Sequence, residues 1–500
     1  MVRKISKIPP LFFAVSGAVC LYYLPPILTG RGLPWAVPLL AAAALLTALI
    51  SFCRALGSLP AACIGAGARR LSGRFAVCLG FLGAGLFLGA GARIAASAGT
   101  RLGLAGERIA GIAGKLSEDP RLVADGRGMG KIELEYVRGK GGLRVSARGG
   151  VAVFFPDEAL AGLRSFGRGS GIYVEGDLLG GREGPLFRAR AVHITEEAPA
   201  LERFRTTLRL KLAEKFSRRK WGGLSMALLL GMRDNLDTQL AQSYKNAGCA
   251  HVLALSGMHL AIVSAILAFF LRKPLGLRAA AVTGALFIIA YVFLVGVQPS
   301  LARSAIMYIL GALSLLGAFP RKASFLLASA FLLQLLIWPS SGDSLSFILS
   351  YLALAGILFT GEALHGLFRG ALPELLSQPL SASIGAFAAT SPVTAAFFGL
   401  VQVSGVFAGL VIVPLTTLFM LASMAEPFLS LVPVLGEAAD RALSLLYLAL
   451  ESLVGAAARI PPLRISAALP VIFLSALAAC AAHLLGSRLA ARRNRLDPFS

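Results

Sequence analysis

Apolar residues dominate this chain in runs long enough to cross a bilayer. Such a run needs about 20 residues to traverse ~30 Å of hydrocarbon. The pattern predicts spans at residues 11–29, 35–52, 75–96, 251–270, 279–297, 304–318, 323–338, 345–360, 380–400, 402–424, 437–457 and 466–486. The part near 385–400 reads alternatively as re-entrant, so topology after residue 380 stays open. Between the third and fourth runs the period changes. Lys131–Val137, Gly150–Phe155 and Gly171–Gly176 alternate or run as short strands between glycine-rich turns, which predicts a small β domain. Residues 201–220 then set Leu201, Phe204, Leu208, Leu212 and Phe216 at helical spacing, among eight Lys or Arg and two Glu. That combination predicts an amphipathic helix lying along a membrane surface. Gly222–Gly231 is too short to span and is expected to enter only part way.

The fold class that follows is mainly α, a polytopic membrane helical bundle of about 12 spans with an inserted small extracytoplasmic β domain. The β domain's length, its turn spacing and the pattern G-x-L-x-x-D-P at Gly114–Pro120 fit an OB-like barrel. The expected divisions are an N-terminal three-helix membrane segment (1–99), the β domain (100–198), the basic surface helix with the re-entrant segment (199–247), a membrane core (248–425), and C-terminal membrane helices with a basic tail (426–500).

Composition supports the membrane class. The 500 residues are 56% hydrophobic and 15% charged, against about 25% charged in soluble domains. The net charge of +23 would suggest nucleic acid in a soluble protein, but here many basic residues occupy short loops between apolar runs. That is the positive-inside pattern, and it places both termini in the cytoplasm and the β domain outside a bacterial cytoplasmic membrane. Met1–Lys7 ahead of Leu11–Leu28 reads as an uncleaved anchor. The six cysteines show no C-x-x-C spacing and suggest neither a disulfide framework nor a metal site. The β domain carries 15 basic and 13 acidic residues, so bulk charge says little about nucleic acid there. Phe154, Phe155, Phe166, Tyr173 and Phe187 suit core packing better than base stacking.

Polar groups inside apolar spans carry the candidate chemistry, because at membrane depth they face a cavity or a partner helix. Cys249–Val263 holds His251, Ser256, Gly257 and His259. Arg303 is costly in a helix interior, ~2.5–3.5 kcal/mol on insertion scales. An anionic ligand would offset that cost, and snorkelling to the interface is the alternative. On the surface helix, Arg203, Arg205, Arg209, Lys211, Lys215, Arg218 and Arg219 suit lipid headgroups, or phosphates at a pore mouth.

Two segments resemble a known family. His251-Val-Leu-Ala-Leu-Ser-Gly-Met-His259 is similar to the H-x-L-A-x-S-G-x-H signature of the ComEC competence family of DNA-uptake channels. Ser300, Arg303 and Met307 match its S-x-x-R-A-x-I-M segment. Looser matches are Leu228–Arg233, Asp343–Tyr351 with Ser350, and the region of Thr390, Pro392, Phe397 and Pro414. Met232, Ile348 and Gly409 depart from the polar residues usual there, either as drift at packing positions or as an altered channel. The resemblance implies a channel passing single-stranded DNA inward, with His251, Ser256, Gly257, His259, Ser300, Arg303, Asp343, Ser350, Thr390 and Pro392 along its path. It also implies an external DNA receptor and a cytoplasmic helicase-like ATPase. A second copy of the chain is a further candidate partner.

Many family members carry a metallo-β-lactamase-like nuclease domain. None of the five histidines has H-x-H spacing, so no two-metal site is expected, and a separate nuclease would degrade one strand. No P-loop is present, so the chain is not expected to be an enzyme or to hold a cofactor. Competing readings are a small-solute transporter or an inactive channel remnant, and an intramembrane serine hydrolase built on Ser256 and His259.

Overall fold

The structure, a computed structural model, describes residues 109–122, 128–156, 167–181, 184–253, 257–317 and 322–464, with isolated positions 15, 18, 19, 85, 88, 89 and 102. The expected spans at 35–52 and 466–486, Phe166 and Ser256 lie outside the described residues.

Seven strands form the β domain: β1 (Ile109–Leu116), β2 (Arg121–Leu122), β3 (Gly128–Gly139), β4 (Arg144–Ser146), β5 (Gly150–Phe155), β6 (Gly171–Gly181) and β7 (Gly184–Glu196). β1 pairs with both β3 and β6, so five strands close into a small barrel in the ring order β1-β3-β5-β7-β6. Only the β5–β7 pair in that ring is parallel. Alternation builds the interior: on β3, Ile132 and Leu134 are buried while Lys131, Glu133 and Glu135 face out. Phe155 and Phe187 fill the core, so these two aromatics pack rather than stack on a ligand. Register shifts fall at Ala113/Gly114 and Glu175/Gly176. There a Cβ would strike the carbonyls of Glu133 and Arg188, the close approach that demands glycine at a bulge.

Helices follow: α1 (Ala200–Ser217), α2 (Gly222–Leu230), α3 (Thr238–Asn246), α4 (Ala250–Leu253), α5 (Gly257–Val295), α6 (Pro299–Leu315), α7 (Ala323–Ile337), α8 (Leu345–Gly356), α9 (Glu362–Phe368), α10 (Glu374–Phe398), α11 (Ser404–Leu429) and α12 (Pro433–Ala457). Among the described residues four helical stretches are long and apolar enough to cross a membrane: His259–Val295, Leu345–Phe368, Glu374–Phe398 and Ser404–Leu429. The chain is a membrane protein of largely helical build with a small β-barrel region.

α5 is two helices in one run. Gly276 (φ 75°, ψ 168°) interrupts it two residues after Pro274. Leu260, before the break, shares a core cluster with Ile288 and Val295, after it. A straight helix rising 1.5 Å per residue would hold them ~40 and ~50 Å from Leu260, so the chain reverses there. The break sits beside Arg272, Lys273 and Arg278, between the two expected spans.

α6 and α7 are 17 and 15 residues long, shorter than a full crossing requires. The segment near 385–400 continues α10 as helix up to Phe398, where Gly399 ends it in the left-handed region (φ 65°). α2 is buried on all sides and forms the centre of a core with α3, α11 and α12. A nine-residue helix whose one polar side chain, Ser225, is matched by the Ser423 hydroxyl at 2.8 Å has no solvent face to offer, which explains its depth. Met232 packs against this core, and Ile348 lies in a second core around Phe331, Phe347 and Tyr351. Both positions serve packing.

α1 presents the residues of its expected apolar stripe to two different sides. Leu201, Phe204 and Leu208 project outward, and its inward residues near the N-terminus are Arg205 and Thr206. The stripe therefore divides: its N-terminal part faces away from the protein, while Leu212, Ala213 and Phe216 pack into the core around α2, and polar contacts hold the inward side only near Arg205 and Thr206.

Candidate functional site

The two motif segments of the sequence meet at one place. Gly257 opens α5 against α6: a Cβ there would lie 2.7 Å from Nη2 of Arg303 and would collide with the Ser304 hydroxyl. Only a residue without a side chain lets the helix start approach the guanidinium so closely. Proline at the first position of α6 presets the helical φ and brings Ser300 and Arg303 onto its first turns.

Arg303 is 8% exposed. It does not snorkel to an interface, which corrects that alternative. Its Nη1 donates to the carbonyl of Ser350 on α8, its Nη2 reaches the Ser304 hydroxyl at 3.5 Å, and its guanidinium lies 5.8 Å from the ring centre of Tyr351. Its Nε has no hydrogen-bond partner among the described residues, and no carboxylate there forms an ion pair with it. A buried charge is ordinarily paired.

A polar network extends from this point. The Tyr351 hydroxyl donates to Oε1 of Gln334 at 2.9 Å, and Nε2 of Gln334 donates to the Pro299 carbonyl at 2.9 Å. Gln334 on α7 thus ties α8 to the start of α6. Phe331 and Phe347 pack on Tyr351 with ring centres 5.3 and 4.7 Å away, which fixes the ring beside the guanidinium. Sequence reasoning missed Gln334, Tyr351 and Ser304. The readable signal for Gln334 was a lone amide within an otherwise apolar helix.

The other expected path residues are dispersed. His259 is fully buried two residues into α5 beyond Gly257, and Ser300 is buried on α6. His251 is exposed on α4, and Asp343 is exposed in the 3-10 turn Pro339–Asp343 that precedes α8. Thr390 donates within its own helix to the Ala386 carbonyl at 2.8 Å. Pro392 is buried on α10 next to Val393, which reaches the Phe331–Tyr351 core. Two surface cavities lie away from Arg303, one of about 440 Å³ between Arg219 and the α11–α12 corner and one of about 410 Å³ along the C-terminal part of α1.

The basic residues of α1 have protein partners. Arg205, 2% exposed, forks onto Asp119 of the β domain through Nη2–Oδ2 at 2.5 Å and Nη1–Oδ1 at 3.2 Å, and its Nε donates to the Leu294 carbonyl at 3.1 Å. Arg209 pairs with Asp119 at 3.3 Å and donates to the carbonyls of Leu294, Val295 and Leu230. These two are not open to phosphate, which corrects their assignment. Arg203 pairs with Glu197, Arg218 with Glu214 and Arg219 with Asp440, while Lys215 reaches the Ser430 hydroxyl. Lys211 remains at the rim of the smaller cavity. Burial alone would raise the Asp119 carboxyl. The Arg209 and Arg205 guanidiniums, the Arg205 fork and the Arg168 backbone N–H outweigh it and hold the carboxyl below its ordinary value of 3.8.

Comparison with known proteins places this arrangement. An Aquifex aeolicus protein described as uncharacterized is 31% identical over 204 residues, covering 40% of this chain and 47% of that protein. ComE operon protein 3 of Bacillus subtilis is 33% identical over 147 residues, covering 27% of this chain and 18% of that protein. The matched portion thus spans under half the length of each curated relative. No solved structure matches. The family model described as competence protein matches residues 228–492. That stretch contains Gly257, Arg303, Gln334 and Tyr351, and with more than half of the sequence inside it, the chain belongs to the competence protein family.

Proposed function

We propose that this chain is a cytoplasmic-membrane channel component that passes single-stranded DNA inward during transformation. The observation that carries the reading is Arg303: a buried guanidinium with a carbonyl, a hydroxyl and an aromatic ring around it, and no paired acid among the described residues. A buried cation lacking a counter-charge is destabilising alone, and a phosphate passing between α5, α6 and α8 would supply the missing charge. The closed packing around it corresponds to a resting state in which the Ser350 carbonyl and Tyr351 occupy the guanidinium. The barrel's ring order, with one parallel pair, supports an OB-like β domain, a class that often binds single strands. Outside the membrane, it would receive the strand from a DNA receptor.

Work must come from elsewhere. Drawing a polyanion inward against the membrane potential costs ~2.3 kcal/mol per charge per 100 mV, which calls for a cytoplasmic helicase-like ATPase. A separate nuclease would remove the second strand. In a transformable host relying on this chain, its deletion is expected to abolish entry of labelled DNA into the cytoplasm while surface binding of DNA persists. Normal entry in the deletion strain would reject the reading.

A further inference from the structure

The pattern G-x-L-x-x-D-P at Gly114–Pro120 ends in an acid that the transport reading does not use. Asp119 stands in the turn between β1 and β2, and its partners come from far along the chain. Its Oδ1 accepts the Arg168 backbone N–H at 3.0 Å, from the approach to β6. Its remaining bonds are the fork with Arg205 and the pairing with Arg209. The same two arginines hold carbonyls at two helix ends, Leu294 and Val295 at the end of α5 and Leu230 at the end of α2. Terminal carbonyls of a helix have no partner within it, and cations there satisfy them and favour the helix dipole. Arg205 also lies over the Phe293 ring at 6.0 Å, and Glu202 accepts from it at 2.9 Å.

The α5 end is the point that matters. Only Gly296, Val297 and Gln298 separate it from α6, which carries Ser300 and Arg303. Gly296 turns the chain with φ 105°, and a Cβ there would lie 3.4 Å from Nη2 of Arg205, so the turn fits directly under the arginines. One carboxylate of the β domain therefore sets two guanidiniums, and these fix the carbonyl ends that aim α6.

We propose that Asp119 is a positioning residue for the membrane core: by clamping Arg205 and Arg209 it fixes the turn between α5 and α6, and through it the placement of Arg303. The geometry stands without the transport reading, and the effect on DNA entry rests on that reading. Removal of the carboxylate leaves two buried guanidiniums repelling each other beside the turn, which loosens it.

The test uses the full chain in nanodiscs, with native cysteines replaced and Val297→Cys as the probe, since Val297 is exposed. Asp119→Asn is expected to raise the rate of maleimide labelling at this cysteine at least threefold, and Asp119→Glu to restore most of the slow rate. Asp177→Asn, which breaks only the exposed pair with Arg190, is expected to change nothing. An unchanged rate in Asp119→Asn overturns the proposal. Should that variant fail to accumulate, Arg209→Gln serves the same comparison, because it frees the Val295 and Leu230 carbonyls while leaving the Arg205 fork; an unchanged rate there is equally fatal. DNA entry is read in parallel. Faster labelling with undiminished transformation keeps the clamp and counts against the channel reading.

Discussion

At the scale of residues, the molecule contrasts two arginines. Arg205 is buried with two acids and a carbonyl around it, so its charge is met within the fold. Arg303 is buried with a carbonyl but no acid among the described residues, and its charge was legible in the sequence because a cation inside an apolar helix is rare. Its neighbours were not. Gln334 and Tyr351 lie 31 and 48 positions further along the chain, on other helices, and no spacing rule links three separate helices. Their bond is expected to stabilise the core modestly: Tyr351→Phe should cost about 0.6–2 kcal/mol. Gln334→Leu added to it should cost less than the sum of the two singles, read as a double-mutant cycle of unfolding in detergent. Additive costs would show that the two side chains act independently. Asp119 makes a pH prediction. Its native pKa is depressed, so its contribution is present above the unfolded value of 3.8 and is lost as the pH falls through the lower native value. The stability difference between wild type and Asp119→Asn should stay constant down to about pH 4 and shrink below it. A difference that instead vanishes near neutrality would contradict the pairing with Arg168, Arg205 and Arg209.

At the scale of elements, periodicity identified the helices better than their roles. The reversal within α5 was readable from Pro274 and the basic residues around Gly276, because proline and glycine punctuate a helix. The strands β3, β5 and β6 were readable from alternation. The outward side of α1 at Leu201, Phe204 and Leu208 agrees with the expected surface helix, whereas the inward turn of Leu212 and Phe216 onto α2 was not readable, because all five share one helical spacing. Helix contacts rest on small residues that sequence reading passed over. α8 and α10 cross at Gly356 and Gly385, where a Cβ on Gly385 would lie 2.6 Å from the Gly356 carbonyl. In membranes such close backbone approach drives helix association. Gly385→Leu should therefore separate these helices and destabilise the core by about 1–3 kcal/mol, seen as a lower unfolding temperature in detergent. An unchanged temperature would mean that the crossing does not hold α8 in place.

At the scale of the whole molecule, a β barrel is attached to a helical membrane core by α1, which buries Arg205 against the barrel and Phe216 in the core around α2. Asp119 joins the barrel to the helix ends, and those ends lead directly to the site where the two family segments converge. The central claim is that Arg303 meets a passing phosphate. The most direct measurement is transformation frequency, normalised to the amount of protein in the membrane, in a strain whose only competence channel is this chain carrying Arg303→Gln or Arg303→Lys. A lost phosphate contact worth about 1.4 kcal/mol corresponds to a factor of ten. The account predicts at least a tenfold fall for Arg303→Gln at normal protein abundance, with Arg303→Lys retaining an intermediate frequency. Wild-type frequency in Arg303→Gln would contradict it.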